Sequence, residues 1–383
     1  MIPYGKQSID QADIDAVVDV LKSDFLTQGP QVSNFEQIIT RFCGVKDGVA
    51  VNSATSALHI ACLALNVGKD DIVWTSPITF VATANCALYC GAQIDFVDID
   101  IDSGNMSSQK LEEKLIWAEK NNLLPKVVIP VHIAGQSCDM EAIYNLAKKY
   151  NFKIIEDASH AIGGKYKQHM VGSCRFSDIT IFSFHPVKIV TSAEGGIAVT
   201  NNKTLAKRLK LFRNHGIINN ADEMTETSHG PWYYQQQELG YNYRMTDIQA
   251  ALGSSQMKKI NLFINKRNQL AQRYNEAFAN TAINHLKPRE YIDSAYHLYL
   301  ILLPNNNRES HKSFVTALRD REVFAQIHYI PVHLQPYYKN LGFKEGTFPS
   351  AEEYYNRVVS LPLYPDLSNE QQDKVINNVL ELI

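Results

Sequence analysis

The sequence predicts an α/β fold, with a mainly parallel, doubly wound sheet in a large domain and a smaller C-terminal α+β domain. Between about residues 45 and 200, short β-rich runs alternate with segments of helical spacing, a pattern typical of such a sheet. The alternation then stops at a long polar stretch, and a different order of helical and strand patterns follows. We therefore predict a large domain at residues 1–250 and a small one at residues 251–383.

Seven β-rich runs predict the strands of the large sheet, at residues 48–51, 72–74, 94–97, 127–131, 153–155, 179–182 and 196–199. Four segments between them have helical composition and spacing, at residues 57–65, 81–89, 140–150 and 205–212. In sheets of this kind, ligands bind at the carboxyl ends of the strands. Functional side chains are therefore expected just after the β-rich runs.

The second part of the chain begins with the polar stretch 219–237, which lacks periodicity. A loop of this length is usually functional, so we expect it to serve the site or a subunit contact. A helix over 247–278 then leads to the small domain. Its predicted strands are 297–303 and 323–328, with a closing helix after Ser368.

Composition excludes several classes of protein. The 383 residues are 45% hydrophobic and carry a net charge of -3, which argues against nucleic-acid or anionic-membrane partners. No apolar run approaches the roughly 20 residues that cross a bilayer, and the N-terminus lacks the regions of a signal peptide. Of six cysteines, only Cys86 and Cys90 are spaced four apart, which favours ordinary packing over metal binding. We expect a soluble, cytoplasmic enzyme without a metal.

Lys188 is the residue whose setting points most directly to chemistry. It follows the apolar run 179–184 and precedes the pair Gly195 and Gly196. Its neighbours in sequence include Phe, Pro, Val and Ile, and such an apolar setting indicates a buried position rather than a surface one. Burial would lower its pKa and free a nucleophilic amine, which is what a Schiff base with an aldehyde cofactor requires.

Asp157 ends a second apolar run, and an unpaired buried carboxylate is costly. Its position indicates a functional role, in which it would pair with the ring nitrogen of pyridoxal phosphate. The competing interpretation is a helix N-cap at Asp157 or Ser159. His160, three residues further on, either contacts the ring oxygen of the cofactor or packs in the core.

Hydroxyl groups indicate a phosphate site. Residues 52–57 (Asn-Ser-Ala-Thr-Ser-Ala) follow the first strand and open a helix, whose free N–H groups and dipole favour an anion. An ordinary Ser/Thr N-cap explains the same residues. Phosphate binding becomes the better interpretation because a second hydroxyl, Ser183, comes shortly before Lys188.

Three further signals are weak by themselves. Phe80 follows a strand end and would either stack on a planar cofactor or join the core. Asn242, in Gly-Tyr-Asn-Tyr-Arg, would by default be a turn residue. Residues 326–329 (Gln-Ile-His-Tyr) place polar side chains around a strand end of the small domain, where a substrate could bind.

Seven segments together resemble a known family along most of the chain: 26–29 (LTQG), 52–56 (NSATS), 156–160 (EDASH), 183–188 (SFHPVK), 193–196 (AEGG), 240–247 (GYNYRMTD) and 360–365 (SLPLYP). They are similar to those of DegT-type sugar aminotransferases, which are fold-type I, aspartate aminotransferase-like enzymes that use pyridoxal phosphate on nucleotide-linked keto sugars. Thr191 and Ser192 depart slightly from the family's expected Thr-Thr or Thr-Gly. Residues 1–250 would then form the cofactor-binding domain with an N-terminal substrate segment.

The resemblance implies a role for each matching residue. Lys188 and Asp157 would be catalytic, His160 would lie near the ring oxygen, and Phe80 would lie against the ring face. The implied cofactor-binding set is Ala54, Thr55, Ser56, Phe80, Asp157, His160, Ser183, Lys188 and Asn242. In this family Asn242 would come from the partner subunit of a homodimer.

A narrower resemblance concerns the branch that makes the pseudaminic acid precursor, through segments 185–188, 230–234 and 326–338. It implies transfer of the amino group of L-glutamate to C4 of a UDP-linked 2-acetamido-2,6-dideoxy-4-keto-L-hexose. The implied substrate-binding set is Tyr4, Asp24, Phe25, Leu26, Thr27, Ala54, His185, Gln326, Ile327, His328 and Tyr329.

Other functions remain open on the sequence alone. The closest is amination of another nucleotide-4-keto-6-deoxyhexose, such as the perosamine precursor or another lipopolysaccharide sugar. A pyridoxal-phosphate-binding regulator without catalysis is a second alternative. A sugar dehydratase on the same fold would carry histidine in place of Lys188, so the sequence argues against it.

Overall fold

The computed structural model describes residues 1–383. The α-helices, α1 to α13 in chain order, are Gln11–Leu21, Pro30–Cys43, Ala54–Ala64, Ala82–Tyr89, Ser108–Lys120, Met140–Tyr150, Lys203–Arg213, Asp247–Met257, Ile260–Phe278, Arg308–Asp320, Pro336–Asn340, Pro349–Tyr355 and Asn369–Leu382. The strands, β1 to β17, are Ile2–Pro3, Asp47–Val51, Ile72–Thr75, Gln93–Phe96, Val127–Ile129, Lys153–Asp157, Lys165–Tyr166, His169–Met170, Ile179–Ser183, Gly196–Thr200, Ile217–Ile218, Gln235–Gln236, Asn284–His285, Ile292–Asp293, Tyr299–Leu302, Val323–Phe324 and Val358–Leu361. Short 3-10 helices occur at Ile133–Gly135, Ala221–Glu223 and Val332–Leu334.

The central sheet contains all seven predicted strands, in the order β2-β10-β9-β6-β5-β3-β4. Its pairings are parallel, except that β10 runs antiparallel to both β9 and β2. The prediction of a mainly parallel α/β sheet is therefore confirmed. Because β6 and β9 are parallel neighbours, with Asp157 opposite Ile181, their carboxyl ends bring Asp157 and Ser183 to the same edge of the sheet.

Both faces of this sheet are buried. Along β9, Ile179 and Ile181 belong to one hydrophobic cluster, whereas Phe182 packs in another cluster on the opposite face. Successive side chains of a strand point to opposite faces, so the alternation shows apolar packing on each side. Strands buried on both faces read as continuous apolar runs, which is why the sequence predicted them well.

The remaining part of the chain builds a second, smaller sheet. Strands β13, β15 and β17 form an antiparallel sheet, and α9, α10 and α13 contribute to the hydrophobic core against it. Its packing includes Tyr274 of α9 and Val375 of α13. The division at residues 250 and 251 stays a prediction. None of the helices has both the length and the apolar composition that a membrane crossing would need.

Two predicted elements differ from the observed ones. The helix predicted over 247–278 is divided into α8 and α9, because the backbone leaves helical geometry at Lys259 (φ -104°, ψ 1°). The Lys259 ammonium lies 2.9 Å from an oxygen of Asp10 and also contacts Asp13, so it is bound to the start of α1. The strand predicted over 323–328 ends at Phe324, after pairing with β1.

Six observed helices, α1, α2, α5, α10, α11 and α12, had no counterpart among the predicted elements. Local signals nevertheless mark their ends. Asp10 and Asp13 form a reciprocal capping box at the start of α1. Pro30 begins α2, and Gly44 ends it in the left-handed conformation (φ 69°). The loop prediction for 219–237 agrees with the structure, apart from one 3-10 turn and a short strand.

Candidate active site

A cavity of about 440 Å³ opens at the carboxyl ends of β6 and β9. Eleven of the predicted site residues line it: Tyr4, Ala54, Thr55, Phe80, Asp157, His160, Ser183, His185, Lys188, His328 and Tyr329. They come from distant parts of the sequence, including the N-terminal segment, the start of α3 and the region after β16. The fold therefore gathers these candidate cofactor and substrate residues into one enclosure.

The other predicted residues lie outside this cavity. Ser56 is buried at the start of α3, where its hydroxyl donates to Oδ1 of Asn52 at 2.6 Å. Gln326 pairs with Ser360, and Ile327 packs against the hydrophobic core. Their roles in binding stay predictions.

Residues 24–27 and Asn242 also lie outside the cavity. The four residues Asp24, Phe25, Leu26 and Thr27 are exposed, as is Asn242. Thr27 forms a bridge with Thr246, and the carbonyl of Leu26 accepts the Asp247 N–H at 3.0 Å. These contacts place the N-terminal segment beside the segment that carries Asn242.

Lys188 lies in the turn that follows β9, and its backbone N–H donates to the carbonyl of His185 at 2.9 Å. Its Nζ makes no hydrogen bond and no salt bridge within the chain. Enclosure by the cavity walls lowers the pKa of Lys188 to about 8, while the charge of Asp157 acts in the opposite direction. About a tenth of the amine is therefore in the free form at pH 7, far more than for a lysine with the ordinary pKa.

The carboxylate of Asp157 is buried and is held by two donors. Oδ2 accepts from Oγ1 of Thr83 at 2.7 Å, and Oδ1 accepts from the N–H of Ser159 at 3.1 Å. The second bond closes a local turn; no helix begins at Asp157 or Ser159, so the helix N-cap that was the competing interpretation is absent. The carboxylate forms no salt bridge, so the cavity contains a buried acid without a cationic partner.

The start of α3 supplies the hydroxyl-rich end of the cavity. Ser53 caps the helix by accepting the Ser56 N–H at 3.1 Å, and Ala54 and Thr55 follow it along the cavity wall. Strand β10 passes so close that a Cβ on Gly196 would lie 2.5 Å from the nitrogen of Ala54. Glycine therefore permits this approach. The exposed N–H groups and dipole of such a helix start favour an anion.

Three histidines form one wall of the cavity. Nε2 of His160 lies 3.0 Å from the hydroxyl of Tyr329, and the rings of His160 and His297 are 4.4 Å apart. Nδ1 of His328 lies 2.7 Å from Oγ of Ser360. Burial, together with the positive charge of Lys188, lowers the pKa of all three, that of His328 to about 3. The imidazoles are therefore neutral at physiological pH.

Phe80 stands at the mouth of the cavity with 60% of its surface exposed. Its ring lies 6.4 Å from that of Tyr329, too far for close stacking. A large aromatic side chain left open beside a cavity has a free face for a planar ligand. This exposure argues against the alternative that Phe80 is a core residue.

The sequence did not lead us to predict six polar residues that line the cavity: Ser53, Thr79, Thr83, Ser159, Glu194 and His297. Ser53 and Ser159 lie inside recognised motifs, so the motif itself was a usable signal. Thr83 and His297 had no local signal. Both Nδ1 of His297 and Nδ1 of His160 are buried without a hydrogen-bond partner.

The sheet order and the site at its strand ends are those of the fold-type I transferases. The chain belongs to the DegT/DnrJ/EryC1/StrS aminotransferase family, whose model matches residues 7–380. It is therefore an aminotransferase. A similar relative is the UDP-4-amino-4,6-dideoxy-N-acetyl-beta-L-altrosamine transaminase of Campylobacter jejuni, which is 40% identical over 381 residues. That alignment covers 99% of this chain and 96% of the relative.

Solved structures agree with this assignment. Helicobacter pylori PseC, an aminotransferase involved in the biosynthesis of pseudoaminic acid, matches with a TM-score of 0.90 and 34% identity, covering 100% of this chain and 98% of PseC. The putative sugar aminotransferase Spr1654 of Streptococcus pneumoniae matches in its PMP-form with a TM-score of 0.91 and 30% identity, covering 100% of this chain and 99% of Spr1654. Its PLP-form matches with a TM-score of 0.89. Spr1654 has thus been solved in both a PMP-form and a PLP-form.

Proposed function

We propose that this aminotransferase uses pyridoxal phosphate to move the amino group of L-glutamate to C4 of a UDP-linked 2-acetamido-2,6-dideoxy-4-keto-L-hexose, in the biosynthesis of pseudaminic acid. The observation that carries the proposal is that Lys188 and Asp157 line the same cavity and that neither forms a salt bridge. The names of the C. jejuni and H. pylori relatives support the choice of sugar.

The residues present fit pyridoxal phosphate. The buried carboxylate of Asp157 suits a protonated ring nitrogen, and the exposed face of Phe80 suits the ring. The start of α3 at Ala54 and Thr55, together with the Ser183 hydroxyl, would hold the phosphate. His160 would contact the ring oxygen. When bound, the cofactor supplies an electron sink for the negative charge that develops when a proton leaves carbon.

Lys188 would act as both the attachment point and the proton carrier. With a pKa of about 8, its amine accepts and releases protons readily near neutral pH. In the first half-reaction it would take the proton from the α-carbon of glutamate and return it to the cofactor carbon that bears the transferred nitrogen. In the second it would carry a proton the opposite way, from that carbon to C4 of the sugar, which fixes the configuration at C4. Its position therefore matters as much as its basicity.

Tyr4, His185, His328 and Tyr329 would bind the sugar nucleotide, since they line the same enclosure. His328 is fixed by its hydrogen bond to Ser360, so its ring presents a defined, neutral surface to a hydroxyl or amide group. Gln326 and Ile327 do not line the cavity, and their part in binding stays a prediction.

We further propose that the enzyme is a homodimer with active sites shared between subunits. Residues 24–27 and Asn242 are exposed and lie outside the cavity of their own chain, and the Thr27–Thr246 bridge joins the two segments that carry them. Phe25 and Leu26 expose 53% and 49% of their surface in this region, as expected of side chains that a partner subunit covers. The loop 219–237, with Trp232 exposed by 76%, would contribute to the same contact. A cytoplasmic location stays an expectation from the sequence.

The test is a substrate panel. Purified enzyme with pyridoxal phosphate and L-glutamate is supplied with UDP-, GDP- and dTDP-linked 4-keto sugars, and products are read by mass spectrometry and NMR. Fastest conversion of the UDP-linked 2-acetamido-4-keto-L-hexose to its C4 amine supports the proposal. Preference for a GDP- or dTDP-sugar would contradict the substrate while leaving the family intact. Bleaching of the visible cofactor band by glutamate, without any sugar, separates a transaminase from a binding-only regulator.

A further inference from the structure

Thr79, in the turn before α4, and Thr83, in the first turn of α4, are both buried. Their hydroxyl groups form a series of hydrogen bonds that ends at Asp157. Oγ1 of Thr79 lies 2.8 Å from Oγ1 of Thr83, which in turn lies 2.7 Å from Oδ2 of Asp157. The two threonines are 2% and 1% exposed, so water does not compete for these bonds. Both line the candidate cavity.

Which group donates in each of these two hydrogen bonds follows from what each group can donate or accept. An ionised carboxylate only accepts, so Thr83 donates its proton to Asp157. The Thr83 oxygen is then free to accept, and Thr79 donates to it. Hydrogen bonds to a charged acceptor are stronger than those between neutral groups, and linked donors reinforce one another in a buried setting.

The bond from Thr83 differs from the other bond to Asp157. The Ser159 N–H is only two residues away, and it forms a local turn that moves with the end of β6. Thr83 belongs to α4, so its hydroxyl fixes the carboxylate relative to a separate element. Because each oxygen of Asp157 already has one donor, the orientation of the carboxylate is set before any ligand enters. Lone pairs remain on both oxygens for a further donor.

We propose that Thr83, supported by Thr79, is a positioning residue that holds Asp157 in the orientation required by the ring nitrogen of the cofactor. This inference rests on the proposed cofactor function. Thr83 acts through Asp157 rather than on the substrate, so its loss should change how tightly and how rigidly the cofactor is held. A purely structural threonine would change only the stability of the apoprotein.

Thr75 provides the matched comparison. It is also a fully buried threonine near the site, but its hydroxyl donates to the carbonyl of Ile129 at 2.8 Å and does not reach Asp157. Thr83→Val and Thr75→Val each remove one buried hydroxyl while keeping a β-branched side chain. Any difference between them in cofactor binding therefore reports the contact with Asp157.

The experiment measures equilibrium binding of pyridoxal phosphate, the circular dichroism of the bound cofactor, and the melting temperature of the apoprotein. For Thr83→Val we expect binding weaker by about 10- to 100-fold, the range for a lost hydrogen bond to a charged group, together with a weaker cofactor dichroism. Thr83→Ser should bind within a few-fold of wild type. Thr79→Val should show a smaller loss in the same direction and serves if Thr83→Val fails to fold.

Thr75→Val should lower the melting temperature but leave cofactor affinity and dichroism unchanged. The inference is overturned if Thr83→Val and Thr79→Val bind the cofactor as wild type does, or if Thr75→Val loses affinity to the same extent as they do. Failure of the wild-type protein to bind pyridoxal phosphate would overturn the proposed function, and this inference with it. That result is distinguishable, because it appears before any variant is made.

Discussion

The hydroxyl of Tyr329 lies 3.0 Å from Nε2 of His160, and this contact joins the segment after β16 to the loop after β6. Nδ1 of His160 has no partner within the chain. Tyr329 is therefore the only group that orients the His160 ring by hydrogen bonding. The ring that we expect beside the cofactor oxygen is positioned from a region 169 residues away in sequence.

Removing the Tyr329 hydroxyl should destabilise the protein and impair the site. Tyr329→Phe leaves a buried imidazole nitrogen unpaired, which costs about 1 to 3 kcal/mol. We expect a corresponding loss in the free energy of unfolding in urea, together with a lower kcat/KM. Tyr337→Phe is the control, since Tyr337 is 60% exposed and its hydroxyl makes no hydrogen bond. Equal behaviour of the two variants would contradict the role of the contact.

The pKa of Lys188 predicts a specific pH dependence for the apoprotein. Its folded-state pKa, about 8, is below its ordinary value of 10.5, because enclosure disfavours the ammonium form. Between these values the unfolded chain binds more protons, so this lysine makes stability rise with pH, and its cost is complete below pH 8. Lys188→Met should thus be more stable than wild type at pH 7. The advantage should shrink as pH rises towards 10.5 in urea unfolding measurements; a difference independent of pH would argue against it.

Asp157→Asn should separate cofactor binding from catalysis. The amide fits the same space but cannot hold a proton on the ring nitrogen, so the electron sink is weakened. We expect turnover to fall by about 100- to 10,000-fold, in the range of a lost acid–base group, while the variant folds. Absorbance titration with pyridoxal phosphate and steady-state kinetics check both parts. Turnover within a few-fold of wild type would remove Asp157 from the mechanism.

Gly196→Ala should disturb the phosphate end of the cavity. The added Cβ would lie 2.5 Å from the Ala54 nitrogen, and the nearest atoms are backbone, which cannot move aside cheaply. Overpacking of this kind costs about 1 to 3 kcal/mol. We expect a lower melting temperature and weaker binding of pyridoxal phosphate. Gly68→Ala is the matched control, because no atom lies within 4 Å of its added Cβ. If both variants bound the cofactor equally, the close approach would be irrelevant.

The central sheet and the location of Lys188 and Asp157 in one cavity could be predicted from sequence for physical reasons. Strands buried on both faces are continuous apolar runs, and a lone polar residue at the end of such a run, such as Asp157, stands out against it. Lys188 stood out in the same way. These signals involve only residues that are neighbours in sequence, so they can be recognised without knowing the fold.

Features that depend on tertiary contacts could not be predicted in this way. The break at Lys259 accompanies ion pairs with Asp10 and Asp13, about 250 residues earlier in the chain. Thr83 reaches Asp157 across 74 residues, and nothing in the sequence near it indicates that contact. Ser56 shows the reverse case, since its motif indicated phosphate binding but its hydroxyl is bonded to Asn52.

The most direct test of the central claim follows nitrogen from donor to sugar. Wild-type enzyme and Lys188→Ala, each with pyridoxal phosphate, are incubated with nitrogen-labelled L-glutamate and the UDP-linked 2-acetamido-2,6-dideoxy-4-keto-L-hexose. We predict that the wild type places the label on C4, detected by mass spectrometry and NMR, and that the folded Lys188→Ala variant forms no product. Full activity of Lys188→Ala, or unlabelled sugar from the wild type, would contradict the account.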